Sequence, residues 1–257
     1  MTRIHPTAII NKDAQLGEGV VVGPYSVIED DVLIGDQTEI AYHAVIASGS
    51  RIGKNCRIFS SAVIGTRPQD LKFGEEKTFV EIGDNTTVRE FATINRATTH
   101  SYTTNIGSNC LIMAYAHVAH DCKIGNNVVI ANAVNMGGHV IIGDYVGVGG
   151  LAAIHQFVHI GCHSFIGGAS KVKKDVPPYI LAMGEPLTFA GLNKIGLQRR
   201  GFDNETLRSL RRAYKVIYKE NLTITEAIAN IEENFEPTPE IQHLIEFLRG
   251  SERGLIR

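Results

Sequence analysis

The sequence predicts an all-β solenoid, a stack of short parallel strands followed by a C-terminal α-helical unit. Three observations carry that expectation. Aliphatic residues recur every six positions, small residues stand two before each of them with glycine often just after, and the spacing turns helical near Asp203.

Stepping by six from Ile4 gives Ile10, Leu16, Val22, Ile28, Ile34 and so on to Ile64, then Ile82, Val88 and Ile94, then Ile106 through to Val172. Of 29 positions in this phase 26 are aliphatic, and only Asp70, Glu76 and His100 break it. A period of six fits neither an α-helix nor one alternating strand over such a length. It fits short strands that meet at repeated corners. The residue two positions earlier is small or β-branched, as in Ala8, Ser26, Ala44, Cys56, Ala62, Cys110, Ala116 and Cys122, and is expected to fit beneath the bend. Glycine follows at Gly17, Gly23, Gly35, Gly53, Gly83, Gly125, Gly143 and Gly161, where it is expected to give the turn backbone freedom. Three of the four cysteines (Cys56, Cys110, Cys122) share the small position, and with Cys162 they show no CxxC spacing. They read as inert core rather than as metal or redox groups.

Two stretches leave the pattern, near 66–80 and 97–104, and read as loops projecting from corners. After Pro177-Pro178 the hexads end. From about Asp203, Leu207, Leu210, Tyr214, Ile217 and Tyr218 share one helical face, and residues 223–234 and 239–249 read as two further helices. The expected division is a solenoid over 1–185 and a helical unit over 186–257. A net charge of −2 with 20% charged residues argues against a nucleic-acid partner. No apolar run reaches membrane-spanning length, and the first residues lack the layout of a signal peptide, so a cytoplasmic location is expected.

This repeat resembles that of the hexapeptide-repeat proteins. The resemblance implies a left-handed parallel β-helix, a handedness opposite to the general rule for parallel crossovers. It also implies triangular coils of three hexads, about ten of them, stacked about 4.8 Å apart. Residues 18 apart then lie on adjacent coils. His120, Gly138 and Gln156 fall in one column, Asp121 and His139 in the next, with His155 beside Gln156 and His117 on the coil of His120. His43, His100, His159 and His163 read as surface histidines. In the cluster, Asp121 is placed to orient the His120 imidazole, and Gly138 to offer an unhindered N–H to an oxyanion. A base, an orienting carboxylate and an oxyanion donor suit acyl transfer to a hydroxyl or amine. No Ser or Cys stands beside His120 as a nucleophile, which favours direct attack by the acceptor.

Several motifs narrow this further: Ala116-His117-Val118-Ala119-His120-Asp121-Cys122, Gly137-Gly138-His139-Val140, His155-Gln156-Phe157, Asp175-Val176-Pro177-Pro178-Tyr179, Pro68-Gln69-Asp70-Leu71-Lys72, the run from Asn193 to Phe202, and Arg253-Gly254-Leu255-Ile256-Arg257. With them the chain resembles, over its whole length, the UDP-N-acetylglucosamine 3-O-acyltransferases of lipid A biosynthesis. The resemblance implies transfer of an (R)-3-hydroxyacyl chain from acyl carrier protein to the glucosamine 3-hydroxyl, with no cofactor and no metal. It makes His120 the general base, Asp121 its partner and Gly138 the residue whose N–H faces the thioester carbonyl. His117, His139, His155 and Gln156 match groups contacting sugar nucleotide or acyl chain, and Asn193, Arg199 and Arg200 match the nucleotide side. Asp70 and Lys72 match residues that reach the sugar nucleotide from a neighbouring subunit of a homotrimer. Gly168 matches a position that helps set acyl length, and glycine there implies a longer chain. Lys171, Lys173 and Lys174 offer a basic surface for carrier protein. Asn95 and Ile195 depart from the family, where some members carry a histidine and an acidic residue. The competing enzyme readings are the sister N-acyltransferase, which carries an extra domain before its solenoid, and a hexapeptide zinc hydratase of carbonic anhydrase type with His117, His120 and His139 as ligands. A purely structural solenoid would show no such polar convergence.

Overall fold

Two-residue strands recur at six-residue intervals, each ending on a member of the aliphatic series, as in Val21–Val22, Val27–Ile28 and Leu33–Ile34. The computed structural model describes residues 2–74 and 76–257; Met1 and Glu75, the latter within the first expected excursion, lie outside it. Through the repeats every third strand joins the same sheet, and among the described residues sheets of eleven, nine and eight strands form three faces of a prism, the largest extended at its end by Ile180–Met183 and Thr188–Leu192. The architecture is a left-handed parallel β-helix with a helical C-terminus.

The expected 18-residue register holds where the site lies: His117 pairs with Asn135, and Asn135 with Ala153. Lower down, two coils are longer. Arg57 pairs with Thr87, a step of 87 − 57 = 30, and Thr87 pairs with Leu111, a step of 111 − 87 = 24. The excess residues are the two excursions. One joins the Val63–Thr66 strand to Phe79–Ile82, and the other joins Thr93–Asn95 to Thr103–Ile106.

From Val22 onward the aliphatic series is buried, and Ala44, Cys56, Ala62, Ala92, Ala116 and Cys122 beneath the bends have no exposed surface. Each interior isoleucine contributes about 1.5–3 kcal/mol by leaving water, and the stack of them is the core. Burial raises the Cys122 thiol to about 12, as an inert core cysteine requires.

The glycines have a different use from the one expected. None of the eight named above has a positive φ, whereas Gly65, which follows Ile64 where the first excursion departs, does. The left-handed residue stands two places further on, and it is usually not glycine: Tyr25, Gln37, His43, Asn55, Asp121, His139, Tyr145, Phe157 and His163 all lie near +60°. What the glycines supply is close approach. A Cβ on Gly161 would come within 2.4 Å of the Pro178 nitrogen on the next coil.

Beyond Tyr179 the strand Ile180–Met183 pairs antiparallel with Thr188–Leu192, which leads into α1 (Lys194–Arg199). Three longer helices follow, α2 (Asn204–Lys219), α3 (Ile224–Asn234) and α4 (Pro239–Gly250). Their starts are set by local chemistry. Asp203 accepts from Thr206 N–H, Thr223 and Glu226 form a reciprocal capping box, and Thr238 caps α4 ahead of Pro239 at its first position. Tyr214 of α2 donates to Pro178 O at 2.5 Å. The tail after α4 returns to the solenoid, where Asp175 accepts from Ser251 Oγ and Arg253 N–H while Leu255 and Ile256 bury.

Candidate active site

His120 and Asp121 occupy one corner of the prism, in the turn between the strands His117–Val118 and Lys123–Ile124. Asp121 takes the left-handed conformation of that corner, and its N–H donates to Thr104 Oγ1 at 2.8 Å. Its side chain has no exposed surface, and its Oδ2 lies 2.6 Å from His120 Nδ1. With Nδ1 engaged, the proton-accepting nitrogen of His120 is Nε2.

Burial alone would push the Asp121 carboxyl up. Hydrogen bonds from His120, Ser101 and Thr98 outweigh it and hold the group well below the usual carboxylate range, so it is ionised throughout the neutral range. Buried Gly138 lies one coil on, against the face of the same imidazole: a Cβ there would meet His120 Cε1 at 2.6 Å and Nε2 at 2.9 Å. The Gly138 carbonyl accepts from Phe157 N–H, while its own N–H donates to no group among the described residues. A backbone N–H left unpaired in a residue packed against the base is what an oxyanion donor needs.

His139 projects from the adjacent column with its Nε2 3.9 Å from Asp121 Oδ2. Its ring stacks on Phe157 at 4.4 Å and meets His100 edge-on at 4.5 Å. Burial lowers its pKa, and so do His100 and His120, against the opposing pull of Asp121 and Asp70. Asp70 of the first excursion is therefore close enough to act on this corner, and it accepts from Lys72 N–H at 2.9 Å. His117 sits half-buried at the start of the same turn, 2.7 Å from Thr93 Oγ1. Burial and the charge of His120 lower its pKa. That Thr93 contact engages His117 apart from His120 and His139, the other two histidines envisaged as zinc ligands. The trio whose ligand atoms lie within 4.8 Å of one another is His120, Asp121 and His139.

The predicted column of His120, Gly138 and Gln156 is formed, with Gln156 and His155 exposed at its upper end. The other predicted residues lie elsewhere on this chain. Gly168 stacks on Gly150, whose carbonyl oxygen a Cβ at Gly168 would meet at 3.1 Å, in a different corner column. Asn193 caps α1 and donates to His163 O, and Arg200 lies over the Tyr145 ring at 4.9 Å, so both belong to the third corner with exposed Arg199. Asn95 is buried and donates to Thr66 and Arg67, closing the base of the first excursion. Ile195 is exposed on α1. Lys171, Lys173 and Lys174 are exposed near the end of the solenoid.

Sequence reasoning missed Thr98 and Ser101, the donors that hold Asp121, and Thr93, the partner of His117. Thr93 stands 24 residues before His117, in a lengthened coil that a rule of 18 does not reach.

A family model described as UDP N-acetylglucosamine O-acyltransferase, domain 2, matches residues 175–256, and one described as bacterial transferase hexapeptide matches residues 103–138. The chain is 46% identical to an acyl-[acyl-carrier-protein]–UDP-N-acetylglucosamine O-acyltransferase of Chlamydia abortus, with 100% of this chain and 92% of that protein covered. It is equally 46% identical to a protein of the same description from Thermodesulfovibrio yellowstonii, with 100% of each covered. A solved UDP-N-acetylglucosamine acyltransferase from Bacteroides fragilis is similar at TM-score 0.97 and 43% identity, over 98% of this chain and 99% of that one.

Proposed function

The chain belongs to the acyl-[acyl-carrier-protein]–UDP-N-acetylglucosamine O-acyltransferases, which open lipid A biosynthesis, and we propose that it works through His120 as general base. The acyl group is an (R)-3-hydroxyacyl chain carried as a thioester on acyl carrier protein. The acceptor is the glucosamine 3-hydroxyl of UDP-N-acetylglucosamine.

His120 Nε2 takes the proton of that hydroxyl as its oxygen attacks the thioester carbonyl. Asp121, ionised and bound to Nδ1, holds the ring and stabilises the imidazolium that forms. The Gly138 N–H receives the negative charge on the carbonyl oxygen. Collapse of the tetrahedral intermediate breaks the carbon–sulfur bond. The proton on His120 goes to the departing sulfur, leaving an ester on the sugar and a free carrier thiol. Balance needs no acyl-enzyme, metal or cofactor. The observation that carries this reading is the 2.6 Å contact between His120 and a fully buried Asp121, with the Gly138 backbone packed against the same imidazole.

His117, His139, His155, Gln156, Asp70 and Lys72 line the approach of the sugar nucleotide and acyl chain. Asn193, Arg199 and Arg200 sit on a corner remote from His120, so they reach its ligand only on a neighbouring copy, where paired guanidiniums suit the pyrophosphate. That separation supports a homotrimer with the ligand held between subunits. Gly168, exposed and without a side chain, keeps the acyl groove open to a chain of about twelve to sixteen carbons, by analogy with pockets that a single side chain closes. Among the described residues no helix is long and apolar enough to cross a membrane. We place the protein in the cytoplasm with its sugar-nucleotide and carrier-protein substrates.

The test is His120→Ala, assayed with (R)-3-hydroxyacyl carrier protein and UDP-N-acetylglucosamine. Turnover should fall by about three to four powers of ten while the protein stays folded, since removing a catalytic base leaves only binding and oxyanion stabilisation. Near-parental turnover would defeat the assignment.

A further inference from the structure

The second excursion lengthens its coil by six residues beyond the regular 18, and the added chain comes to lie on Asp121. Thr98 Oγ1 donates to Asp121 Oδ2 at 2.8 Å, and Thr98 N–H reaches the same carboxylate at 3.2 Å. Ser101 N–H donates to Oδ1 at 3.1 Å, and Ser101 Oγ lies 2.6 Å from Oδ1. Ser101 Oγ also has Thr103 O at 3.1 Å, but its single proton goes to the nearer, charged oxygen. The loop is itself fixed, by Ala97 N–H on Phe79 O and Tyr102 N–H on Thr98 O. With His120 Nδ1, five donors surround a carboxylate that has about four lone-pair sites.

We propose that Thr98 and Ser101 are positioning residues for the acyl transfer, their four donors clamping Asp121 as a rigid anion and drawing off part of its charge. The proposal rests on His120 being the general base. A carboxylate bound by His120 alone would be free to rotate and would direct its whole charge at the imidazole. The clamp fixes both oxygens, so the ring is oriented by a rigid partner while the imidazolium is stabilised only in part. That balance matters because the same His120 must give its proton back to the departing sulfur. The other titratable groups around the pair are His117 and His139, His100 on the loop, Lys123 and His159 on the adjoining face, and Asp70. None of them donates to Asp121 within hydrogen-bond distance, His139 being nearest at 3.9 Å.

Removing one hydroxyl from the clamp should act on kcat and on the pH profile together. For Ser101→Ala and for Thr98→Val, kcat should fall roughly tenfold, the effect of losing one hydrogen bond to a charged group. KM should stay within about twofold, because both hydroxyl protons are directed at Asp121. With more of the Asp121 charge left to His120, the acid limb of kcat/KM should move to higher pH. Thr98→Ser keeps the hydroxyl and should restore both kcat and the profile.

The experiment measures kcat, KM and kcat/KM from about pH 5 to 9 on the full-length protein for these three variants, with His120→Ala alongside. A lowered kcat with an unmoved acid limb, or a Thr98→Ser variant as poor as Thr98→Val, would make the loop merely structural and overturn the proposal. If His120→Ala is inactive and the clamp variants match the parent, the clamp fails while the base assignment stands. If His120→Ala retains turnover, both fail. Should Ser101→Ala not fold, the nearly isosteric pair Thr98→Val and Thr98→Ser decides alone.

Discussion

Gly138→Ala places one methyl group directly against the proposed base. Its Cβ would lie 2.6, 2.9 and 3.1 Å from Cε1, Nε2 and Nδ1 of His120, and those are its three nearest neighbours. Ordinary van der Waals contact begins at 3.4 Å, so the ring must retreat by about 3.4 − 2.6 = 0.8 Å. Pushed off its plane by that much, the ring keeps Nδ1 within about √(2.6² + 0.8²) ≈ 2.7 Å of Asp121 but bends that bond by roughly 17° and carries Nε2 about 0.8 Å from the position it is held in. A misplacement of about 1 Å at a reacting group costs on the order of a hundredfold in rate. The backbone at residue 138 has no positive φ, so alanine is not strained there and the fold should survive. The assay is steady-state acyl transfer, with circular dichroism and gel filtration to confirm folding. The expected result is a kcat lower by about two powers of ten and a thermal midpoint close to that of the parent. A folded Gly138→Ala protein with kcat within about twofold of the parent would show that His120 is not held where the rate depends on it.

Three further outcomes are expected. Gly168→Met should shift the preference from longer to shorter acyl thioesters in a competition assay, and an unchanged chain-length profile would remove Gly168 from the groove. His163, stacked between Tyr145 and Tyr179, has its pKa lowered to about 4 by burial and by Arg200. Its neutral form is favoured on folding, so that stability is complete above pH 6.5 and is lost as pH falls from 6.5 towards 4. His163→Phe keeps the stack without the titration. Thermal melts at neutral and at acid pH should therefore show a smaller acid loss than the parent's, by about 2–3 kcal/mol; equal losses would contradict the assignment. Gly161→Ala forces a methyl group to within 2.4 Å of the Pro178 nitrogen and should lower stability by about 1–3 kcal/mol or more, measured by urea unfolding. A neutral result would refute the close-approach role of these glycines.

The fold was legible because one side chain in six must fill the prism interior, and the series from Ile4 to Val172 records that demand directly. The helices α2, α3 and α4 were legible too, from apolar side chains recurring at helical spacing, as in the face around Leu210 and Tyr214. Helix α1 was not, since six residues containing Gly196 make too short a pattern for periodicity. The turn glycines were misread because sequence does not distinguish a glycine needed for positive φ from one needed for close approach. Within the site, the stacking of Gly138 on His120 followed from the 18-residue coil that the hexapeptide-repeat resemblance implies. Thr98 and Ser101 lie 23 and 20 residues from Asp121, in the stretch where the repeat is broken, so no periodic rule relates them. Likewise, spacing assigns Gly168 to a column but says nothing of which corner another copy of the chain would face, and Arg200, beyond the last hexad, it does not place at all.

Asp121, His139 and Phe157 hold φ values of 61°, 62° and 63°, and Tyr25 and Gln37 on unrelated corners both hold 58°. The backbone at the reactive corner is thus indistinguishable from the backbone where nothing happens. Each corner is a socket of one shape, and exchanging the side chains in two adjacent sockets sets a new pair of groups about 4.8 Å apart without remaking any loop. A molecule built this way can gain or lose a chemistry one column at a time, because the scaffold and the reaction it hosts are written in different residues.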